Sequence, residues 1–139
     1  MFMSIRSRFN YVIAGAIKIL QQINYEEPNM DSVFEEHFFS EFYYLYPNVS
    51  SSTFSAKINI PQTKIDQYLM EKYGLDFFQL CNKLRIEYFL SKHSIDVSEN
   101  NLDSFSLKGT GFTNMDEFKN AFNMYASSPK NIELDLKKI

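Results

Sequence analysis

The sequence predicts an all-α protein, and three observations carry that expectation. Apolar residues recur at spacings of three and four along most of the chain, and cap-forming residues precede several of these runs. Only four Gly and four Pro interrupt the 139 residues. With 45% apolar and 17% aromatic residues, the chain can bury one core, or two small ones, without disulfides or metal ions. No motif repeats at the ~20–50-residue periods of solenoid proteins, and the composition is not low-complexity.

The first element follows from Phe9, Val12, Ile13, Ala16, Ile17, Leu20 and Ile23, which line one face of an amphipathic helix over residues 8–24. Asn24 to Asn29, with Pro28, ends it. A second helix starts at a cap, Asn29 or Asp31, carries carboxylates in its first turns where the helix dipole favours them, and ends at Pro47 and Asn48. Its apolar residues form two stripes: Phe34, Phe38, Phe42, Leu45 and Tyr46 on one side, Phe39, Tyr43 and Tyr44 on another. Such a helix either packs on two neighbours or offers an aromatic surface to another subunit.

Ser50 to Ser52 cap a short helix containing Phe54 and Ile58, and Asn59, Ile60 and Pro61 form a turn. Pro61 opens a helix whose inward residues are Ile65, Tyr68, Leu69 and Tyr73, and Gly74 stops it. A long amphipathic helix, residues 75–93, comes next. Beyond a polar loop from Ser94 to Asn101 the order repeats: a short helix with Leu102 and Phe105, a turn with Gly109 and Gly111, then a longer helix from Asn114. Glu117 completes a capping box with Asn114, while Phe118, Phe122 and Tyr125 face inward. Ser128-Pro129 opens a last short helix. Each repeat of short helix, turn and longer helix has the helix-turn-helix order.

The formal net charge of −3 is uneven: residues 1–54 hold three basic groups against six carboxylates, and residues 55–139 hold 11 of each. The C-terminal part therefore lacks the basic excess that supplies most of the affinity of nucleic-acid binders. Cys81, the single cysteine, sits among Phe77, Phe78, Leu80 and Leu84 and is expected as a buried small hydrophobe in a reducing compartment, with a cytoplasmic location. Arg6 and Arg8 ahead of an apolar stretch have a signal-peptide flavour. Lys18 breaks that stretch, however, no small-residue cleavage pattern follows, and its length falls short of the ~20 residues of a membrane span. No membrane partner is expected.

His37 and His93 are isolated and read as solvated helix residues, and Glu35, Glu36 and Glu41 as a wet face. HExxH and CxxC patterns are absent, and Gly109 and Gly111 lack the strand that a phosphate-binding loop needs. The expectation is a protein that is not an enzyme, with no cofactor, metal or small-molecule site.

Over residues 49–135 several landmarks stand in a characteristic order. Gly74 is followed by Phe77, then by Asn82 and Arg85-Ile86 in the long helix. Gly111-Phe112 mark the second turn, Phe118 and Phe122 the helix after it, and Ser128-Pro129 the end. This order resembles the DNA-binding domain of AraC/XylS-type transcriptional regulators. The chain is similar to that family as a divergent member: residues 106–112 run about one residue long, Ala126 stands where glycine is usual, and Asn123 where lysine is frequent.

The resemblance implies a bacterial regulator in which two helix-turn-helix units, joined by a long linker helix, enter successive major-groove segments of double-stranded DNA. Residues 1–48 then form an N-terminal helical segment for packing or dimerisation, and 49–139 a tandem helix-turn-helix domain. The recognition helices fall at about residues 61–72 and 114–124. Their base-facing positions fall on Gln62, Thr63, Asp66 and Gln67, with Lys64 beside them, and on Met115, Asp116, Lys119 and Asn120 after Asn114. Gln67 and Asn120 suit adenine, Lys119 suits guanine or a phosphate, and Thr63 and Met115 suit a thymine methyl. Asp66 and Asp116 are repelled by phosphates unless they accept from a cytosine amino group, and Asp116 equally suits a first helical turn. Lys64, Arg85, Lys119 and Lys130 are the candidates for phosphate contact. The alternative is a protein-interaction module on the same scaffold, forming a homodimer or meeting a partner through the aromatic residues 30–46.

Overall fold

The computed structural model describes residues 8, 10–16, 27–93 and 96–127, and every regular element among them is helical. Residues 8 and 10–16 are helical and form part of the first expected helix. Its remainder, and the short helix expected at Ser128-Pro129, lie outside the described residues. Helix α1 (Met30–Phe34) is followed by α2 (Ser51–Ile58), α3 (Gln62–Tyr73), α4 (Phe77–Lys92) and α5 (Met115–Tyr125).

Asn29 caps α1, its side-chain carbonyl accepting from the Ser32 N–H at 3.3 Å. The helix does not run straight on to Pro47. Residues Glu35–Phe39 form a widened turn in which the Ser40 N–H bonds the Glu35 carbonyl at 2.9 Å, Phe42 adopts a left-handed conformation (φ 52°), and a 3-10 turn covers Tyr43–Leu45. The two apolar stripes explain the departure. A straight helix would leave one stripe in water, whereas a turn with one extra residue and a reversal at Phe42 bring Phe34, Phe38 and Tyr44 inward together. Phe34 and Phe38 stack at 5.2 Å, and both meet Phe54 of α2, at 5.1 and 5.5 Å. Burial of these rings offsets the cost of about 1–3 kcal/mol for a bulky residue held at positive φ. The aromatic surface expected to meet a second subunit through residues 30–46 is thus largely turned into the chain's own core.

Two reciprocal capping boxes set the next helix starts. Ser50 and Thr53 exchange side-chain to backbone bonds at the start of α2, and Asp76 and Gln79 do so at the start of α4. Asn59 ends α2 in the left-handed conformation, a geometry that asparagine tolerates, and the chain turns through buried Ile60 and exposed Pro61 into α3. Gly74 ends α3 at φ 66°. At α5 the expected capping box is only half formed. Asn114 accepts the Glu117 N–H at 2.8 Å, but the Glu117 carboxylate turns to the Thr113 hydroxyl at 3.1 Å rather than to the Asn114 N–H.

The apolar side chains gather into two clusters, and α4 belongs to both. Phe77, Leu80, Cys81 and Leu84 join Phe34, Phe38, Tyr44, Phe54, Ile65 and Leu69 in the first cluster. Ile86 and Phe89 join Leu102, Phe112, Phe118 and Phe122 in the second. Consequently α4 is not the amphipathic helix expected of it: every residue from Cys81 to Glu87 is buried, including Asn82, Lys83, Arg85 and Glu87.

Arg85 stands between the clusters. Its Nε donates to the Tyr44 carbonyl at 2.5 Å, one terminal nitrogen to the Tyr46 carbonyl at 3.0 Å, and the other to the Asn82 side chain at 3.3 Å. The Phe112 ring lies 5.4 Å from the guanidinium carbon. Burial pushes the guanidinium pKa down from its ordinary value. A phosphate contact by Arg85 is therefore excluded by geometry, because its donors point into the protein. Gly111 (φ 86°) completes the node: a Cβ there would collide with Arg85 Nε and stand 2.9 Å from the Tyr44 carbonyl oxygen.

Two outcomes follow. Gly111→Ala is expected to lower stability by about 3 kcal/mol, from strained φ plus overpacking, and Gly109→Ala by about 1 kcal/mol, from φ alone. At Gly109 a Cβ meets nothing within 4 Å. Urea denaturation of the two variants checks the difference. Cys81 is buried, and burial pushes its thiol up to about 12. It should resist a thiol-specific chromogenic disulfide at pH 8 in native buffer and react fully in urea.

Candidate nucleic-acid interface

The site residues expected on the first unit all lie on α3, and Gln62, Thr63, Lys64, Asp66 and Gln67 are exposed. The inward residues Ile65 and Leu69 fix this arrangement, since both are fully buried and hold the opposite face to the core. On the second unit Asn114, Asp116 and Asn120 are exposed, while Met115 and Lys119 are half-buried. Phe118, Ala121 and Phe122 anchor α5 in the same way. Lys130 lies outside the described residues.

Several of these groups are already engaged within the chain. Asp66 accepts from the Ser51 hydroxyl at 2.6 Å, tying the start of α2 to α3. Gln67 donates to Glu71 at 3.0 Å, one turn further along α3. Lys64 pairs with Glu27 at 3.4 Å, and Lys119 with Asp103 at 2.9 Å. Asn114 spends its side-chain carbonyl on the α5 cap, and Asp116 occupies the first turn, where the helix dipole favours a carboxylate.

The formal charge of the two faces follows directly. Helix α3 carries Lys64 and Lys72 against Asp66 and Glu71, and α5 carries Lys119 against Asp116 and Glu117, so the sums are 0 and −1. Surface pairs of this kind are weak and screened by salt, so a phosphate can compete for either lysine.

Three large apolar groups on these elements were not singled out by sequence reasoning: Met70 on α3, Phe78 on α4 and Met124 on α5, each more than half exposed. The signal was present, because each falls off the inward stripe of its helix. An open groove of 330 Å³ also passes unnoticed in the sequence, since it assembles from separate elements. Val49, Ser51, Gln62, Asp66, Asp76 and Phe78 are among its lining residues. Two carboxylates make it unsuitable for a phosphate.

The histidines differ in setting. His37 is half-buried between Glu36 and Glu41, with Nδ1 3.5 Å from Glu41. His93, exposed at the end of α4, lies against Phe89 and Phe105 at ring distances of 4.4 and 4.9 Å, so it packs as well as being solvated. Among the described residues no group of three His, Cys, Asp or Glu side chains is placed to hold a metal ion. Among them, too, no helix is long and apolar enough to cross a membrane. No family model, curated protein or solved structure matches the chain.

Helix α3 is moored to α1 through Asp31, whose carboxylate accepts from the Tyr68 hydroxyl at 2.5 Å and pairs with Lys72. The Lys72 bond, then the Tyr68 bond, hold the Asp31 carboxyl below its ordinary value. A depressed folded value stabilises the protein above the unfolded carboxyl value of about 3.9, and this contribution is lost as pH falls through the folded value. Asp31→Asn is therefore expected to lower the urea midpoint at pH 7, with the gap from the parent closing in strong acid.

Proposed function

We propose that the chain is a sequence-specific DNA-binding transcriptional regulator that inserts α3 and α5 into successive major-groove segments. The observation that supports it most is the arrangement around α4. A short helix, a tight turn and a longer helix pack against its first half, and a turn with Gly111 and α5 pack against its second half. The first half has the order of parts of one helix-turn-helix unit in the AraC/XylS-type domain that the sequence resembles, and in the second half a three-residue 3-10 turn, Leu102–Ser104, stands where the short helix with Leu102 and Phe105 was expected. Both longer helices keep hydrogen-bonding residues outside: Gln62, Thr63 and Gln67 on α3, Asn114 and Asn120 on α5.

On this reading Gln67 and Asn120 read adenine, and Thr63 and Met115 pack against thymine methyls. Lys64 and Lys119 exchange their carboxylate partners for phosphates. Asp66 serves the scaffold through Ser51 rather than the groove. The neutral faces mean that few phosphates are neutralised, so affinity rests on base contacts more than is usual.

A second reading, a protein-interaction module on the same scaffold, is favoured by one observation: both lysines of the proposed face are paired internally. Its working surface would then involve the exposed Met70, Phe78 and Met124, since Phe34 and Phe38 are buried.

Selection from a random duplex pool at roughly 50 mM salt, followed by fluorescence anisotropy, separates the two. DNA binding predicts an enriched motif and a log–log salt slope of about −2 to −4. Asn120→Ala and Gln67→Ala should each cost about 1–3 kcal/mol at one base position, and Lys64→Ala should shallow the slope by about one. A pool that yields no motif and no binding at low salt overturns the proposal in favour of the second reading.

A further inference from the structure

We propose that the open groove between the starts of α2, α3 and α4 is a docking site for an arginine side chain of a basic peptide segment. Its apolar lining includes half-buried Val49, buried Phe77 and the Phe78 ring, which is 61% exposed. The charged groups that line it are Asp66 and Asp76, and no lysine or arginine among the described residues does so. Lys64 and Lys72, the cations of α3, stand two residues before and six residues after Asp66. At ~100° per residue both lie well round the helix from it, where Glu27 and Asp31 pair with them. The groove therefore joins apolar surface to negative charge that no cation of its own lining offsets.

Both carboxylates keep capacity for a ligand. Asp66 spends one oxygen on the Ser51 hydroxyl at 2.6 Å, and Asp76 spends one on the Gln79 N–H at 2.8 Å, where it caps α4. Each has a second oxygen, and both residues are exposed. Ser50 caps α2 in the same way, so the ends of α2 and α4 that border the groove are already matched. This combination selects a guanidinium. Its planar fork bonds a carboxylate in two places and its face stacks on an aromatic ring, whereas an ammonium is compact and strongly hydrated. An open groove lets a chain run past while one side chain enters, and it cannot enclose most of a free small molecule as small-molecule sites do. A second copy is disfavoured as the occupant, because the chain carries a net charge of −3. Peptide binding is measured with no duplex present, so the site stands or falls independently of the DNA reading.

Fluorescence anisotropy of the full chain with a dye-labelled peptide of alternating arginine and glycine tests it, with the lysine and glutamate counterparts alongside. The arginine peptide should bind, the lysine peptide about threefold or more weakly, and the glutamate peptide not at all. Phe78→Ala and Asp76→Asn should each weaken binding of the arginine peptide by about threefold. Both should keep the parent's melting curve, since Phe78 is exposed and asparagine caps a helix as aspartate does. Glu99→Gln, at an exposed position beyond α4, should bind the peptide as the parent does. No binding of the arginine peptide, equal binding of the lysine peptide, full binding by Phe78→Ala or Asp76→Asn, or an equal loss in Glu99→Gln overturns the proposal. Light scattering without peptide covers the competing occupant: a dimer that Phe78→Ala dissolves would assign the groove to a second copy and overturn it as well.

Discussion

The architecture depends on one buried cation. Arg85 brings a guanidinium into the interior with no carboxylate among its hydrogen-bond acceptors in the described residues and satisfies it with the Tyr44 and Tyr46 carbonyls, the Asn82 amide and the face of Phe112. These partners come from three different parts of the fold. The carbonyls belong to the aromatic turn ahead of α2, Asn82 to α4 itself, and Phe112 to the loop that leads into α5. A planar fork of donors is suited to this task, and an ammonium group is not, because it cannot hold two carbonyls and an amide in one plane. The same node dictates glycine at residue 111, where the loop backbone approaches the guanidinium too closely for a side chain.

The aromatic turn can deliver those carbonyls only because the chain departs from a regular helix after Phe34. A left-handed residue at Phe42 is an unfavourable local choice, and it is sustained by what it gains elsewhere. Tyr44 enters the first cluster, and its carbonyl meets Arg85. Local strain and a buried hydrogen bond are therefore two sides of one arrangement, with the Phe34, Phe38 and Phe54 rings supplying the rigidity that holds both.

Much of this frame was legible in the sequence where a local signal determines structure. Ser50 and Asn114 cap helices, Gly74 stops one, and the spacing of Ile65, Leu69, Phe118 and Phe122 orients α3 and α5. Residues 30–46 were not legible, because eight apolar residues around one helix leave open which of them turns inward, and a widened turn settles it through tertiary contact. Arg85 was misread as a phosphate contact for a related reason. Its partners are backbone carbonyls about forty residues earlier in the chain, and carbonyls carry no signature of residue type. The candidate site was legible as exposed positions on α3 and α5, but not as chemistry. Whether Asp66 or Lys119 is available depends on Ser51 and Asp103, which sequence spacing does not bring together.

The passage of α4 through both clusters has a geometric corollary. Leu84 serves one cluster and Ile86 the other, so a continuous helix indexes the first half of the molecule against the second. Each residue of an α-helix advances the axis by ~1.5 Å and turns it by ~100°. A single residue inserted between these two positions would leave each cluster able to pack on its own and would swing α5 through about a quarter-turn relative to α3. The helix thus acts as an angular gauge, and its residue count sets how the two outward faces are presented to anything that must touch both.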